Sequence, residues 1–90
     1  MSPTNPDRVC AKRPHDVQIK VGPMPEDPAY VLIEADAEGF KFLSELFAAH
    51  ANAEDCGFQI SPLGPGSAVF APGSVLGLYL HRIPCVEKSE

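Results

Sequence analysis

Apolar and polar residues alternate over residues 16–21, with Val17, Ile19 and Val21 on one side and Gln18 and Lys20 on the other. That is the two-residue period of a half-buried strand. Residues 30–35, YVLIEA, are β-branched and aromatic and predict a second strand, with Val31, Ile33 and Ala35 on one face and Tyr30, Leu32 and Glu34 on the other. Residues 56–61, CGFQIS, alternate again around Phe58 and Ile60. Residues 75–83, VLGLYLHRI, predict the last strand, with Leu76, Leu78 and Leu80 toward the core and Gly77, Tyr79 and His81 away from it, until Pro84 stops it.

Between the second and third strands the period lengthens. Over residues 37–51, at about 100° per residue, Phe40, Phe42, Leu43, Leu46, Phe47 and His50 fall within one half of a helix circumference, and Lys41, Ser44 and Glu45 take the other. Phe47, beside Leu43 and His50, is expected in the core. Asp36 is placed to cap this helix, Glu38 adds negative charge where the helix dipole favours it, and Asn52 is expected to end it in a left-handed turn. Gly39, in the first turn, allows close approach to the preceding strand.

The ten prolines divide the chain: six precede position 29, none falls within 29–61, and three lie in 62–72. Each removes a backbone donor, so uninterrupted hydrogen-bonded structure is expected in the proline-free middle. Residues 22–28 read as a connection, and 62–73 as either a long loop or a loop carrying a short edge strand at 68–70, with the edge strand favoured. Residues 1–15, polar and proline-rich, read as a flexible tail ahead of a single α+β domain at 16–86. The predicted architecture is one amphipathic helix on a single mixed or antiparallel sheet of four to five strands, in the order β-β-α-β-(β)-β.

A chain of 90 residues amounts to at most one domain. Its apolar runs are far shorter than the roughly 20 residues that span a bilayer, and the first residues lack the apolar core of a secretory leader, so a cytoplasmic location is expected. Seven Lys and Arg against twelve Asp and Glu give a net charge of −5, which argues against nucleic acid or anionic lipid as a partner. Cys10, Cys56 and Cys85 form no CxxC pair and read as three reduced thiols.

Candidate chemistry is sparse. A metal site would have to recruit His15, His50 or His81 at long range, so no metal or other cofactor is expected. His15 reads as solvated and His50 as a partly buried, hydrogen-bonded histidine. The glycines of 64–73 match no phosphate-binding pattern, and no nucleophile stands beside a base, so no enzyme activity is expected.

Two features point to a partner. Residues 26–55 hold eight carboxylates against the single Lys41. The strand faces turned away from the helix carry Tyr30, Leu32 and Glu34 on one strand, Gln59 and Ser61 on another and Tyr79 and His81 on the last, and nothing obvious in the pattern covers them. The expected contact surface is therefore Tyr30, Leu32, Glu34, Asp36, Glu54, Asp55, Tyr79 and His81, centred where the acidic run and the open face meet at Glu34 and Asp36.

The run VLIEADAEGFKFLSELFAAHANAEDCGFQISPLGPGSAVFAPGSVLGLYLHRI resembles the immunity protein 32 family of bacterial polymorphic toxin systems. The resemblance covers residues 30–83 and rests on the strand ending in acidic residues, the EGF turn into a helix bearing Leu43 and Leu46, the GFQIS strand and GSVLGLYL. It implies a small cytoplasmic antitoxin that binds and occludes a cognate protein toxin, and the net charge of −5 favours a toxin with a basic or neutral surface. Family members show a histidine-bearing strand after the helix, where this chain has Gly57-Phe58-Gln59, so no histidine role is carried over. The alternative is a self-associating accessory module that pairs two copies as a homodimer.

Overall fold

The computed structural model describes residues 5–14 and 16–85, which form an α+β fold. In chain order they are a short helix α1 (Pro6–Lys12), strands β1 (Lys20–Pro23) and β2 (Val31–Glu34), helix α2 (Ala37–Ala51), strand β3 (Gly57–Ile60), a 3₁₀ turn (Ser67–Val69) and strand β4 (Leu78–His81). Residues 1–4, His15 and the last residue of the predicted domain, Val86, lie outside the described residues.

Helix α2 spans the predicted range, because its signals are local. The Asp36 carboxylate accepts from the Gly39 N–H at 2.8 Å, satisfying one of the four amides left free at the first turn. Gly39 permits the close approach expected of it: a Cβ there would lie 2.6 Å from Ala35 Cβ and 3.3 Å from the Gln18 carbonyl oxygen. The buried stripe is narrower than predicted and comprises Gly39, Phe42, Leu43, Leu46, Ala49 and His50. Phe40 and Phe47 are 49% and 46% exposed. Each lies about 100° or more from the middle of that stripe, and a two-stranded ribbon with one short helix is too narrow to cover so wide an arc. Asn52 ends the helix without a left-handed turn, at φ −111°, its side-chain amide donating to the Ala48 carbonyl at 3.1 Å.

The expected tail does not describe residues 6–12. Asn5 caps α1 by accepting from the Arg8 N–H at 2.8 Å, Pro6 occupies the first turn, and Asp7 and Lys12 complement the helix dipole. So short a helix is not stable alone, but α1 packs against α2 and buries Val9 in the core.

The single sheet is replaced by two antiparallel ribbons. In the first, Lys20 faces Glu34, Val21 faces Ile33, Gly22 faces Leu32 and Pro23 faces Val31. In the second, Gly57 faces His81, Phe58 faces Leu80, Gln59 faces Tyr79 and Ile60 faces Leu78. The segment expected as an edge strand at 68–70 is instead the 3₁₀ turn followed by one parallel bridge, Ile19 to Phe70. The ladder along β1 stops after Ala71 because the chain turns there: the Ala71 carbonyl, next in register to accept from β1, instead accepts from the Ser74 N–H, and Gly73 has a φ of +93° that no strand residue adopts. The Ser74 hydroxyl fills the gap, accepting from the Val21 N–H at 3.2 Å and donating to the Ile19 carbonyl at 3.3 Å. The Val75 and Leu76 N–H groups then both donate to the Val21 carbonyl. At Gly77 the chain crosses so close to β3 that a Cβ would sit 2.5 Å from the Ile60 carbonyl oxygen, and β4 begins only after it. Leu76, expected in the core, is 40% exposed because it lies ahead of that crossing.

The core gathers Val9, Val17, Ile19, Val21, Phe42, Leu43, Leu46, Ala49, Ile60, Val69 and Phe70, and of these Ile19, Val21 and Leu46 are fully buried. No helix among the described residues is long and apolar enough to cross a membrane. Cys56 and Cys85 form a disulfide across 29 positions, which overturns the expectation of three reduced thiols; Cys10 alone is free. Spacing hides this pair, because the β3–β4 register brings the cysteines together: the Arg82 N–H donates to the Cys56 carbonyl at 2.8 Å, and Cys85 follows three residues later.

Two measurements check this packing. Leu46→Ala is expected to cost about 2–5 kcal/mol in urea unfolding, whereas Phe47→Ala costs about 1 kcal/mol or less; equal losses would place Phe47 in the core after all. The denatured, unreduced chain should titrate one thiol, and reduction should lower stability by about 3–4 kcal/mol from the loop that the bond closes. In the folded chain that thiol should react slowly, because burial, reinforced by the Asp7 carboxylate, raises the Cys10 pKa above its ordinary value against an opposing effect of Arg13.

Candidate functional site

A cleft of about 350 Å³ opens where the start of α1, the end of α2 and the loop into β3 come together. Asp7 lines it from α1, Glu54 and Asp55 from the loop, and the amides of Asn5 and Asn52 stand beside them. Phe58 supplies an aromatic wall, and no lysine or arginine is among the lining residues. Three carboxylates with no lining cation make this a place where a positive group is favoured.

His50 also lines the cleft. It is 8% exposed, and neither Nδ1 nor Nε2 has a hydrogen-bond partner among the described residues. The sequence predicts a hydrogen-bonded histidine; its position on the apolar stripe buries it as expected, but the neighbouring helix faces offer no partner. Burying a polar group unsatisfied costs about 1–3 kcal/mol, and such costs are concentrated where a group serves something other than the fold. Its backbone is well held: Arg82 reaches back from beyond β4 and donates from Nη1 to the His50 carbonyl at 2.7 Å, a favourable place for a cation at a helix C-terminus.

The eight residues predicted to form one contact surface fall into two groups. Tyr30, Leu32 and Glu34 belong to the first ribbon and its loop, and Asp36 caps the start of α2. Glu54 and Asp55 lie beyond the far end of α2, about 22 Å away along a helix of this length. Tyr79 and His81 are exposed on β4 next to that far end: His81 faces Gly57, and a Cβ on Gly57 would lie 3.1 Å from the Tyr79 hydroxyl. The acidic run therefore does not form one patch, and the expected centre at Glu34 and Asp36 is not where Glu54, Asp55, Tyr79 and His81 gather.

Sequence reasoning missed Asn5, Asp7 and Arg82. The signal for the first two was present, since Asn-Pro-Asp is a helix start. Nothing local marks Arg82, whose role depends on tertiary contact. Among the described residues, no three His, Cys, Asp or Glu side chains converge to hold a metal ion. No family model, curated protein or solved structure matches the chain.

Replacing His50 by leucine removes the unsatisfied nitrogens while keeping an apolar volume in the stripe. Thermal or urea unfolding should show a gain of about 1 kcal/mol or more. A loss of that size would mean the imidazole has a partner that stabilises the fold.

Proposed function

We propose that this chain is a non-catalytic binding protein of the immunity type, which blocks a cognate toxin by occupying a basic surface on it. The observation that carries this reading is the cleft bounded by Asp7, Glu54 and Asp55 with no lining cation, flanked by the exposed aromatic Tyr79. Carboxylates at the rim speed encounter with a basic partner, and an exposed tyrosine supplies contact area that holds the complex once formed. The resemblance over residues 30–83 makes a toxin the partner of first choice. The Cys56–Cys85 bond favours an oxidising compartment, so the proposed meeting place lies outside the reducing cytoplasm.

Self-association is the second reading. It is favoured by the first ribbon, where β2 is paired only with β1 among the described residues and Tyr30 and Val31 are 62% and 60% exposed.

The two readings separate in binding kinetics against the product of the adjacent gene, the toxin that the first reading requires. The double reversal Glu54→Lys with Asp55→Lys should slow association about tenfold or more at low salt and flatten its salt dependence, while Tyr79→Ala should mainly speed dissociation. If neither variant alters binding and Tyr30→Ala with Val31→Ser instead turns a sedimenting dimer into a monomer, the second reading holds.

A further inference from the structure

We propose that the Cys56–Cys85 bond is a redox latch on a detachable strand: while it is closed β4 is held against β3, and its reduction by a dithiol frees residues 78–85 and leaves the rest of the fold standing. The burial pattern marks where the fold divides. The core ends at Phe70, and none of the described residues beyond it is buried. From β4 only Leu78 packs against the core, and Tyr79 and Ile83 are 67% and 78% exposed. β3, by contrast, is anchored from within, by Ile60 in the core and Phe58 against it. β4 therefore stays in place through its ladder to β3, the hydrogen bonds of Arg82 to the Cys56 and His50 carbonyls, and the disulfide. A two-stranded ribbon is marginal on its own in water, and a segment with few buried apolar contacts is the kind that opens locally. The near end of the strand is fixed by the tight crossing at Gly77. At the far end only the covalent bond does not open and close thermally, so cutting it turns a strand tied at both ends into an arm tied at one.

The bond is also placed to be cut. Cys85 is exposed and Cys56 half-buried, and exposed disulfides are the labile ones. A thiolate of the dithiol attacks Cys85 Sγ, the S–S bond breaks, and Cys56 leaves as a thiolate that takes up a proton. The second thiol of the reductant then displaces Cys85, so two cysteine thiols form as the dithiol is oxidised to its own disulfide. The strap is thus open in a reducing compartment and closed in an oxidising one. The loop that ends at Cys56 loses one of its holds when the strap opens. The latch belongs to the free chain and does not depend on what the chain binds.

The test is limited trypsin digestion of the full chain, oxidised or reduced with dithiothreitol, then alkylated and freed of reagent before the protease is added. Arg82 lies in the strap, whereas Lys20 and Lys41 lie in β1 and α2. Reduction should speed cleavage after Arg82 about tenfold or more while the bonds after Lys20 and Lys41 stay intact. Reoxidation of an unalkylated portion should restore resistance. Cys56→Ser with Cys85→Ser should behave as the reduced chain without any reductant, and Cys10→Ser as the oxidised one. Amide NMR of the double variant should place residues 78–82 at unfolded shifts and keep residues 42–49 at their native ones. Cleavage at Arg82, Lys20 and Lys41 together, or a double variant that does not fold, would make the bond a staple of the whole fold and overturn the latch. An Arg82 bond equally resistant in both redox states would overturn it as well, since the strap would then stay seated without the bond.

Discussion

Ile19 and Val21 have no exposed surface, so the backbone between and around them must find its hydrogen-bond partners within the protein. β2 satisfies one edge. The other edge falls to residues 69–76, a stretch containing Pro72 and Gly73 that cannot form a continuous strand. The structure meets this constraint with a side chain, the Ser74 hydroxyl standing in for the backbone groups a regular strand would offer. Because that edge is closed by an irregular segment, the sheet ends there. The chain turns away at Gly77 and starts a separate ribbon with β3. The two-ribbon architecture, the exposure of Leu76 and the position of β4 beside the end of α2 all follow from this one substitution of side chain for backbone.

What could be read from the chain divides along the same line between local and tertiary causes. The α2 boundaries, the Asp36 cap and the Gly39 approach are determined within a few residues, and the sequence reading matches the structure at each. The faces of residues 17–21 are legible for the same reason, since alternation places Val17, Ile19 and Val21 together whatever they pair with. Pairing itself is not local. Four alternating segments are compatible with one sheet, and it is the turn at residues 71–74 that breaks the β1 edge. Phe47 fails differently: periodicity measures which residues share a side of a helix, whereas burial depends on how wide a surface the rest of the chain can bring against it.

The candidate site was barely legible, because it is assembled from two places that look unremarkable apart. Asp7 lies in a stretch whose composition suggests no structure, and it becomes part of a cleft only because Val9 docks α1 on α2. Glu54 and Asp55 looked like the tail of a long acidic run, yet α2 carries them away from Glu34 and Asp36. His50 illustrates the limit of pattern reasoning most directly: its place on the apolar stripe correctly signals burial and says nothing about whether its nitrogens will find partners.

The cleft's shape depends on how the loop between α2 and β3 is held. Two attachments act at its ends: the Cys56–Cys85 bond fixes the last loop residue to the chain beyond β4, and Arg82 donates to both the Cys56 and His50 carbonyls. The hydrogen bonds alone are each worth about 1–3 kcal/mol and can open transiently, whereas the covalent link cannot while it stays oxidised. Glu54 and Asp55 sit between these attachments, so the loop that brings them to the rim of the cleft is held at both ends. On the proposed reading, a partner then meets a loop already ordered and loses less entropy in fixing it. A strand–strand register that brings two distant cysteines together thus bears on the cleft as well as on stability, by holding the loop that carries Glu54 and Asp55 to its rim.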